Sequence, residues 1–285
     1  MRYLVLTYRV VLDAYKRFNA NYGWAIASHI ALSTLMSLFP FLILVTAIAG
    51  FIGSRELADE VARILIEAWP AEVAEPLAAQ MHNVLTTARG DLLTIGAVLA
   101  IYFSSSGIES VRIGLNRAYN GTEPRSWWKL QLESIAYVLL SAISLLALAF
   151  LVVLGPLIFA TAVRYAIWLE PFSSVVSFMR ISVASTLLIA ALVFVHKFLP
   201  AGHRKWTEIL PGVLFTLAAW LIAGEVFGQY LSNFAYTYVS YYAGLASAMI
   251  ALVFLYLVAS IFIFGGELNA AIRDARQKRR KAHTS

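Results

Sequence analysis

The sequence predicts an all-α integral membrane protein of six transmembrane helices. Three observations carry that reading: an apolar composition, long uncharged runs, and basic residues gathered on one side. Of the 285 residues, 60% are hydrophobic and 13% charged, against about a quarter charged in an ordinary soluble domain. Mean hydropathy is +0.74. One water-soluble core cannot hide that much apolar surface, so lipid must be the solvent for much of it. The length suits one polytopic domain over residues 1–285. The absence of cysteine removes disulfides, thiolate nucleophiles and Cys-based metal sites.

Residues 1–23 come first. Leu4, Tyr8, Val11, Tyr15 and Phe18 recur at helical spacing, with Arg9, Asp13 and Lys16 opposite. This is the pattern of an amphipathic helix lying on the cytoplasmic membrane surface, or of a short helix packed on the bundle; the residues leave both open. The stretch lacks the apolar run and cleavage site of a signal peptide.

The first crossing is Ile26–Ile52, whose one ionisable residue is His29. It exceeds the ~30 Å hydrocarbon thickness, and Pro40 supplies a cause for a kink. Residues 54–91 follow as an external segment, with seven carboxylates against three arginines. Leu57, Val61, Ile64 and Leu65, then a Trp69–Pro70 break, predict two short amphipathic helices there. The second crossing, Leu92–Gly107, runs on as helix through Glu109, Arg112 and Asn116. The third is Ser134–Val163, and the fourth lies within about 175–195. From Ile209 to Gly266 one charge interrupts, Glu225, and the run suits two crossings with a turn at Ser232–Tyr242, where four tyrosines crowd. Tyrosine prefers the membrane–water interface. Residues 270–285 form a basic tail.

Six crossings divide the 22 Lys and Arg unevenly. Seventeen fall in the N-terminus, the 109–131 and 196–208 loops and the tail, and five on the other side. The positive-inside rule then places both termini in the cytoplasm. The net charge of +6 is thereby a matter of topology, not of nucleic-acid binding, and the tail can attract anionic lipid.

Polar residues at membrane depth carry the functional expectations, since unsatisfied polar groups in hydrocarbon cost several kcal/mol. Ser33 and Ser37 share a face of the first crossing, Glu109, Arg112 and Asn116 one of the second, and Glu225, Gln229 and Ser232 one of the fifth. Converging inward, such stripes would line a cavity; serines at such positions also serve as helix-packing residues. Glu225 lies about 21 Å of helical rise beyond Pro211, in the outer half of the bilayer, where an ionisable residue is a functional-site hypothesis by default. Proton coupling and pairing with a cation are both open, with Arg180 a partner at similar depth. Glu109 and Arg112, three residues apart, can pair with each other, and Arg112 can hold an anionic headgroup. No P-loop, dinucleotide fingerprint, nucleophile elbow or metal-ligand spacing occurs, so no cofactor or metal and no enzymatic activity is expected.

Three stretches resemble the YihY/BrkB family of bacterial inner-membrane proteins. They are Ala31 to Pro40 (ALSTLMSLFP), Leu210–Pro211–Gly212 with Ala218–Ala219–Trp220, and Tyr241 to Ala246 (YYAGLA) with Gly265 to Ala270 (GGELNA). Ser28–His29 and Gly266 depart from the family's pattern, which tends to aromatics and alanine there. The resemblance implies six helices and an inner-membrane location, with Pro40, Pro211, Gly212, Trp220, Gly244, Gly265, Glu267 and Asn269 as structural motif residues. It also brings an old label, ribonuclease BN, that these residues do not support, and labels concerning virulence, envelope integrity and lipid transport. The leading expectation is a non-ATP-driven transporter or flippase for an amphipathic, anionic envelope molecule. The alternative is a scaffold that binds an envelope protein, and a ribonuclease comes last.

Overall fold

In a computed structural model of the chain, the described residues are 2–52, 63, 93–165, 173–242 and 245–284. Among them there are seven long helices and no strand. In chain order these are α1 (Arg2–Ala20), α2 (Gly23–Ile52), α3 (Leu93–Ala118), α4 (Trp127–Tyr165), α5 (Ser173–Phe198), α6 (Trp206–Tyr242) and α7 (Ala246–Thr284). The external segment expected over 54–91 and the motif residue Gly244 lie outside the described residues, as does the side chain of Arg180.

Four helices contain stretches long and apolar enough to cross a bilayer: Gly23–Val45 in α2, Trp127–Leu148 in α4, Trp206–Phe234 in α6 and Ala248–Lys278 in α7. The chain is thus a multi-pass membrane protein by composition and length of its helices. The second and fourth expected crossings are helical as α3 and α5, of which α5 contributes a shorter apolar stretch, Ser185–Phe198.

Two boundaries differ from the sequence reading. The turn expected over Ser232–Tyr242 is helical, because α6 continues to Tyr242; interfacial tyrosines mark depth in the membrane and do not break a helix. The expected basic tail is the continuation of α7, which runs unbroken from Ala246 to Thr284. Likewise α2 continues through Pro40.

The central element is α7. Half of its membrane-length stretch is buried, against about a quarter in α2, α4 and α6. It packs on α6, α2, α1 and α3, and Ile263, Phe262 and Ala259 meet Leu115 and Tyr119 of the α3 end, Leu192 of α5 and Val213 of α6 in the main core. Between helices in lipid the hydrophobic driving force is weak, so close packing over small residues has to hold them. Gly107 of α3 lies against Ser37 of α2, and Gly114 against Ile26, Ile30 and Ile263.

The first helix settles on one of its two readings for one face. Ala14 packs against Leu268 and Ala271 of α7, and Arg17 pairs with Asp274 at 2.9 Å. On one flank of that face Tyr8, Val11 and Tyr15 are exposed.

Candidate functional site

The start of α6 sets up a polar knot at the basic end of the bundle. Pro211 has no N–H, so the Thr207 carbonyl four residues earlier loses its helical donor. Arg276 of α7 supplies one, Nη1 to oxygen at 3.3 Å. One residue on, the Gly212 N–H donates to Asn269 Oδ1 at 2.6 Å, while Asn269 Nδ2 donates to the Ile209 carbonyl at 2.9 Å and to the Tyr119 oxygen at 3.0 Å. A side chain of α7 thereby takes part in the first turns of α6. The approach requires glycine on both helices: a Cβ on Gly212 would overlap the Gly265 carbonyl, and one on Gly265 would overlap Thr216 Oγ1.

Tyr119, just past α3, extends the knot to α5, its hydroxyl lying 3.0 Å from Nδ1 of the fully buried His196. Burial pushes the Tyr119 hydroxyl up to about 12, so it stays a neutral phenol that accepts from Asn269 and has its proton to give. Trp220 ties the helices further along, donating Nε1 to the Val258 carbonyl at 3.0 Å. Glu267 is fully buried and its Oε1 accepts from Asn21 Nδ2 at 2.7 Å, joining α7 to the α1–α2 turn.

A second network lies between α3, α4 and the loop after α5. Arg112 is 2% exposed and donates Nη1 to the Leu130 carbonyl and Ser134 Oγ at 3.0 and 2.9 Å. Glu109 stands 3.7 Å from its guanidinium. Asn116 accepts from the Ala201 N–H at 2.6 Å and donates to Glu123 at 2.8 Å. Arg125 forks onto both oxygens of Glu123 at 2.7 Å, reaches Glu133 at 2.6 Å and caps the Leu199 carbonyl at 3.0 Å. The hydrogen bonds from Arg125 hold the Glu123 carboxyl at about 2, well below its ordinary 4.5, and charge-assisted bidentate pairs are among the strongest hydrogen bonds a protein makes.

The α6 stripe lies elsewhere. Glu225 is exposed and accepts from Gln229 Nε2 at 2.8 Å; Ser232, also exposed, donates to the Gln229 carbonyl at 2.8 Å. Beside this stripe runs an open apolar groove of about 650 Å³ between α6 and α7, lined by Ala219, Ile222, Ala223, Val226, Phe227, Tyr230, Val253 and Leu257.

The expected inward convergence is therefore corrected in part. Ser33, Arg112 and Asn116 are buried, and protein groups bond Arg112 and Asn116. Ser37 bonds the Thr34 carbonyl at 3.0 Å. Glu225, Gln229 and Ser232 face outward, because the face of α6 bearing Val213, Phe227 and Leu231 is the one that packs. Of the motif residues, Pro211, Gly212, Gly265 and Asn269 come together in one crossing. Sequence reasoning missed Tyr119, His196, Glu123 and Arg125 as network members. Their partners lie up to 150 residues away, and periodicity within one helix carries no sign of that.

A family model described as Virulence factor BrkB matches residues 14–285. Among similar proteins, the putative ribonuclease-like protein YfkH of Bacillus subtilis is 26% identical over 265 residues, covering 93% of this chain and 95% of that protein. The UPF0761 membrane protein RC1_0578 of Rhodospirillum centenum is 27% identical, over 94% of this chain and 58% of its own length. A UPF0761 membrane protein of Tolumonas auensis is 22% identical over 87% and 80% of the two chains. No solved structure matches the chain significantly.

Proposed function

We propose, from the premise that this chain belongs to the Virulence factor BrkB family, that it moves an anionic amphipathic molecule of the membrane from leaflet to leaflet along the outer face of α6, without ATP. In this reading the bundle has six crossings in a bacterial inner membrane, with α1 and both termini on the cytoplasmic side. One observation carries it: an open apolar groove flanked by the exposed stripe Glu225, Gln229 and Ser232. A carboxyl at that depth facing lipid is expensive, and a structural role would have turned it inward onto a partner. The groove takes acyl chain while the stripe, with the second amide proton of Gln229 and the acceptor oxygens of Glu225 and Ser232, lies beside the polar head as it passes. Arg180, on α5, is a further candidate for the path. The anionic charge is drawn to the basic end, where most Lys and Arg gather.

The test is transbilayer movement of a fluorescent phospholipid in proteoliposomes. Wild-type protein should accelerate it over protein-free vesicles, and Glu225→Gln should slow it several-fold with unchanged melting of the protein. A Glu225→Gln variant as fast as wild type sinks the role of the stripe, and no acceleration by wild type sinks transport.

The second reading is an envelope scaffold. It draws on the acidic external segment over 54–91, seven carboxylates against three arginines, as the surface that an envelope partner would meet. Deleting residues 55–89 separates the two: a scaffold loses its envelope partner, whereas a lipid path along α6 persists. A ribonuclease has least support, since Glu123, Glu133, His196 and Glu267 are each engaged in bonds between segments of the chain.

A further inference from the structure

The short connection between α5 and α6 builds a cationic pocket that neither the polar knot nor the α6 stripe uses. Its walls include Arg125, Lys197, Phe198, Ala201, His203 and Arg204, and its volume is about 380 Å³, within the ~300–1,000 Å³ usual for small-molecule sites.

The three strong cations in it are not equivalent. Arg125 is already balanced by Glu123 and Glu133. Lys197 has no carboxylate partner among the described residues; its Nζ sits 3.6 Å above the Trp206 ring. Arg204 has none either. Its guanidinium lies over the Tyr119 ring at 4.1 Å, and Nη2 donates to the Ala201 carbonyl at 2.8 Å. Nη1 reaches only the Pro200 and Gly202 carbonyls, at 3.4 and 3.5 Å, the weak edge of hydrogen-bonding distance. The turn that brings these carbonyls round one side chain depends on Gly202, whose φ of +91° suits glycine and few other residues. Glu208, the carboxylate at the start of α6, accepts from the Lys205 N–H at 3.2 Å and acts on Arg204 through space without an ion pair to it.

Two cations are thus held in place by rings and carbonyls beside one cavity, with no ion pair to a carboxylate among the described residues. A phosphate supplies what is missing: oxygens for the Arg204 fork at charge-assisted distance, and charge for Lys197, which binds phosphate as a point charge. The surroundings favour phosphate attached to lipid. Phe198 closes the apolar stretch of α5 and Trp206 opens that of α6, and both are exposed, as aromatics are at the level of lipid headgroups. A headgroup entering the pocket leaves its acyl chains against those rings.

We propose that this pocket binds the phosphate of an anionic lipid in the leaflet at the basic end of the bundle. The site requires no translocation and stands or falls on binding alone.

The experiment is native mass spectrometry of the purified full chain in mild detergent. Phosphatidate and phosphatidylglycerol are titrated against phosphatidylcholine, with glycerol 3-phosphate as the soluble arm. Anionic lipid should form adducts in preference to phosphatidylcholine. Lys197→Gln and Arg204→Gln should each weaken them about fivefold, as for loss of one cation near a charged surface, and the double variant about twentyfold. Adducts that survive the double variant unchanged overturn the site. Glycerol 3-phosphate binding as tightly as lipid overturns the lipid source in favour of a free phosphate. If Arg204→Gln lowers the melting temperature, Lys197→Gln alone decides, because the Lys197 ammonium lies over the rings of Trp206 and Phe198 and has no hydrogen bond or ion pair among the described residues.

Discussion

Asn269 spends every hydrogen-bonding capacity of its amide except one. It accepts from Gly212 and donates to Ile209 and Tyr119, and it is 1% exposed. A leucine of similar bulk leaves a buried N–H and a phenol short of a partner, each at about 1–3 kcal/mol. Asn269→Leu is therefore expected to destabilise the protein by about 3 kcal/mol, read as a lowered melting temperature in detergent. Melting equal to wild type would mean the amide is dispensable to the crossing. The contrast with Glu225 is instructive at the same scale. Among the described residues its carboxyl bonds only Gln229 on its own helix, so its substitution should touch function and leave melting alone.

A helix in this bundle has two different glycine environments, and α6 shows both. Gly212 sits in the crossing with α7, where any Cβ meets the Gly265 carbonyl; Gly224, three turns on, has nothing within 4 Å of a Cβ. Gly212→Ala must push the helices apart and break the bonds to Asn269, so a clear loss of stability is expected. Gly224→Ala removes only backbone freedom and should be neutral or stabilising by up to ~1 kcal/mol. Paired melts check both; a Gly224→Ala loss as large as that of Gly212→Ala would show a second contact on the outer face of α6. The same pairing explains Pro211, tolerated near the start of α6 because Arg276 answers the carbonyl it frees.

At the scale of the whole molecule, α7 is the axis on which α6, α2, α1 and α3 dock, and among the described residues the basic end is where most of the polar bonds between segments are made. α1 is bracketed there by Arg17 on Asp274 and by Asn21 on Glu267. Topology follows from the distribution of charge, and the absence of cysteine makes it directly measurable. Single-cysteine variants at Thr284 and Thr7 should label from the cytoplasmic side, and one at Ala71 from the other. Labelling of residues 7 and 71 from one side would remove a crossing at α2 and with it the six-helix count.

What was legible from sequence and what was not divide along a physical line. Long apolar runs, helical spacing and the bias of Lys and Arg are local or additive properties. Hence the all-helical fold and the membrane environment could be read residue by residue. The motif glycines and Asn269 were legible as residues in a resembling pattern, without the reason for their presence. Which side of a helix faces its neighbours depends on every other helix at once. That is why Glu225 turns outward although its stripe resembles those of Ser33 and Asn116, and why Arg112 is buried against Ser134. Sequence by itself determined that this chain lives in lipid as a bundle of helices. Tertiary structure alone decided which polar groups satisfy one another and which are left for a ligand, because a hydrogen bond between residues 119 and 269 exists only once the intervening chain has folded.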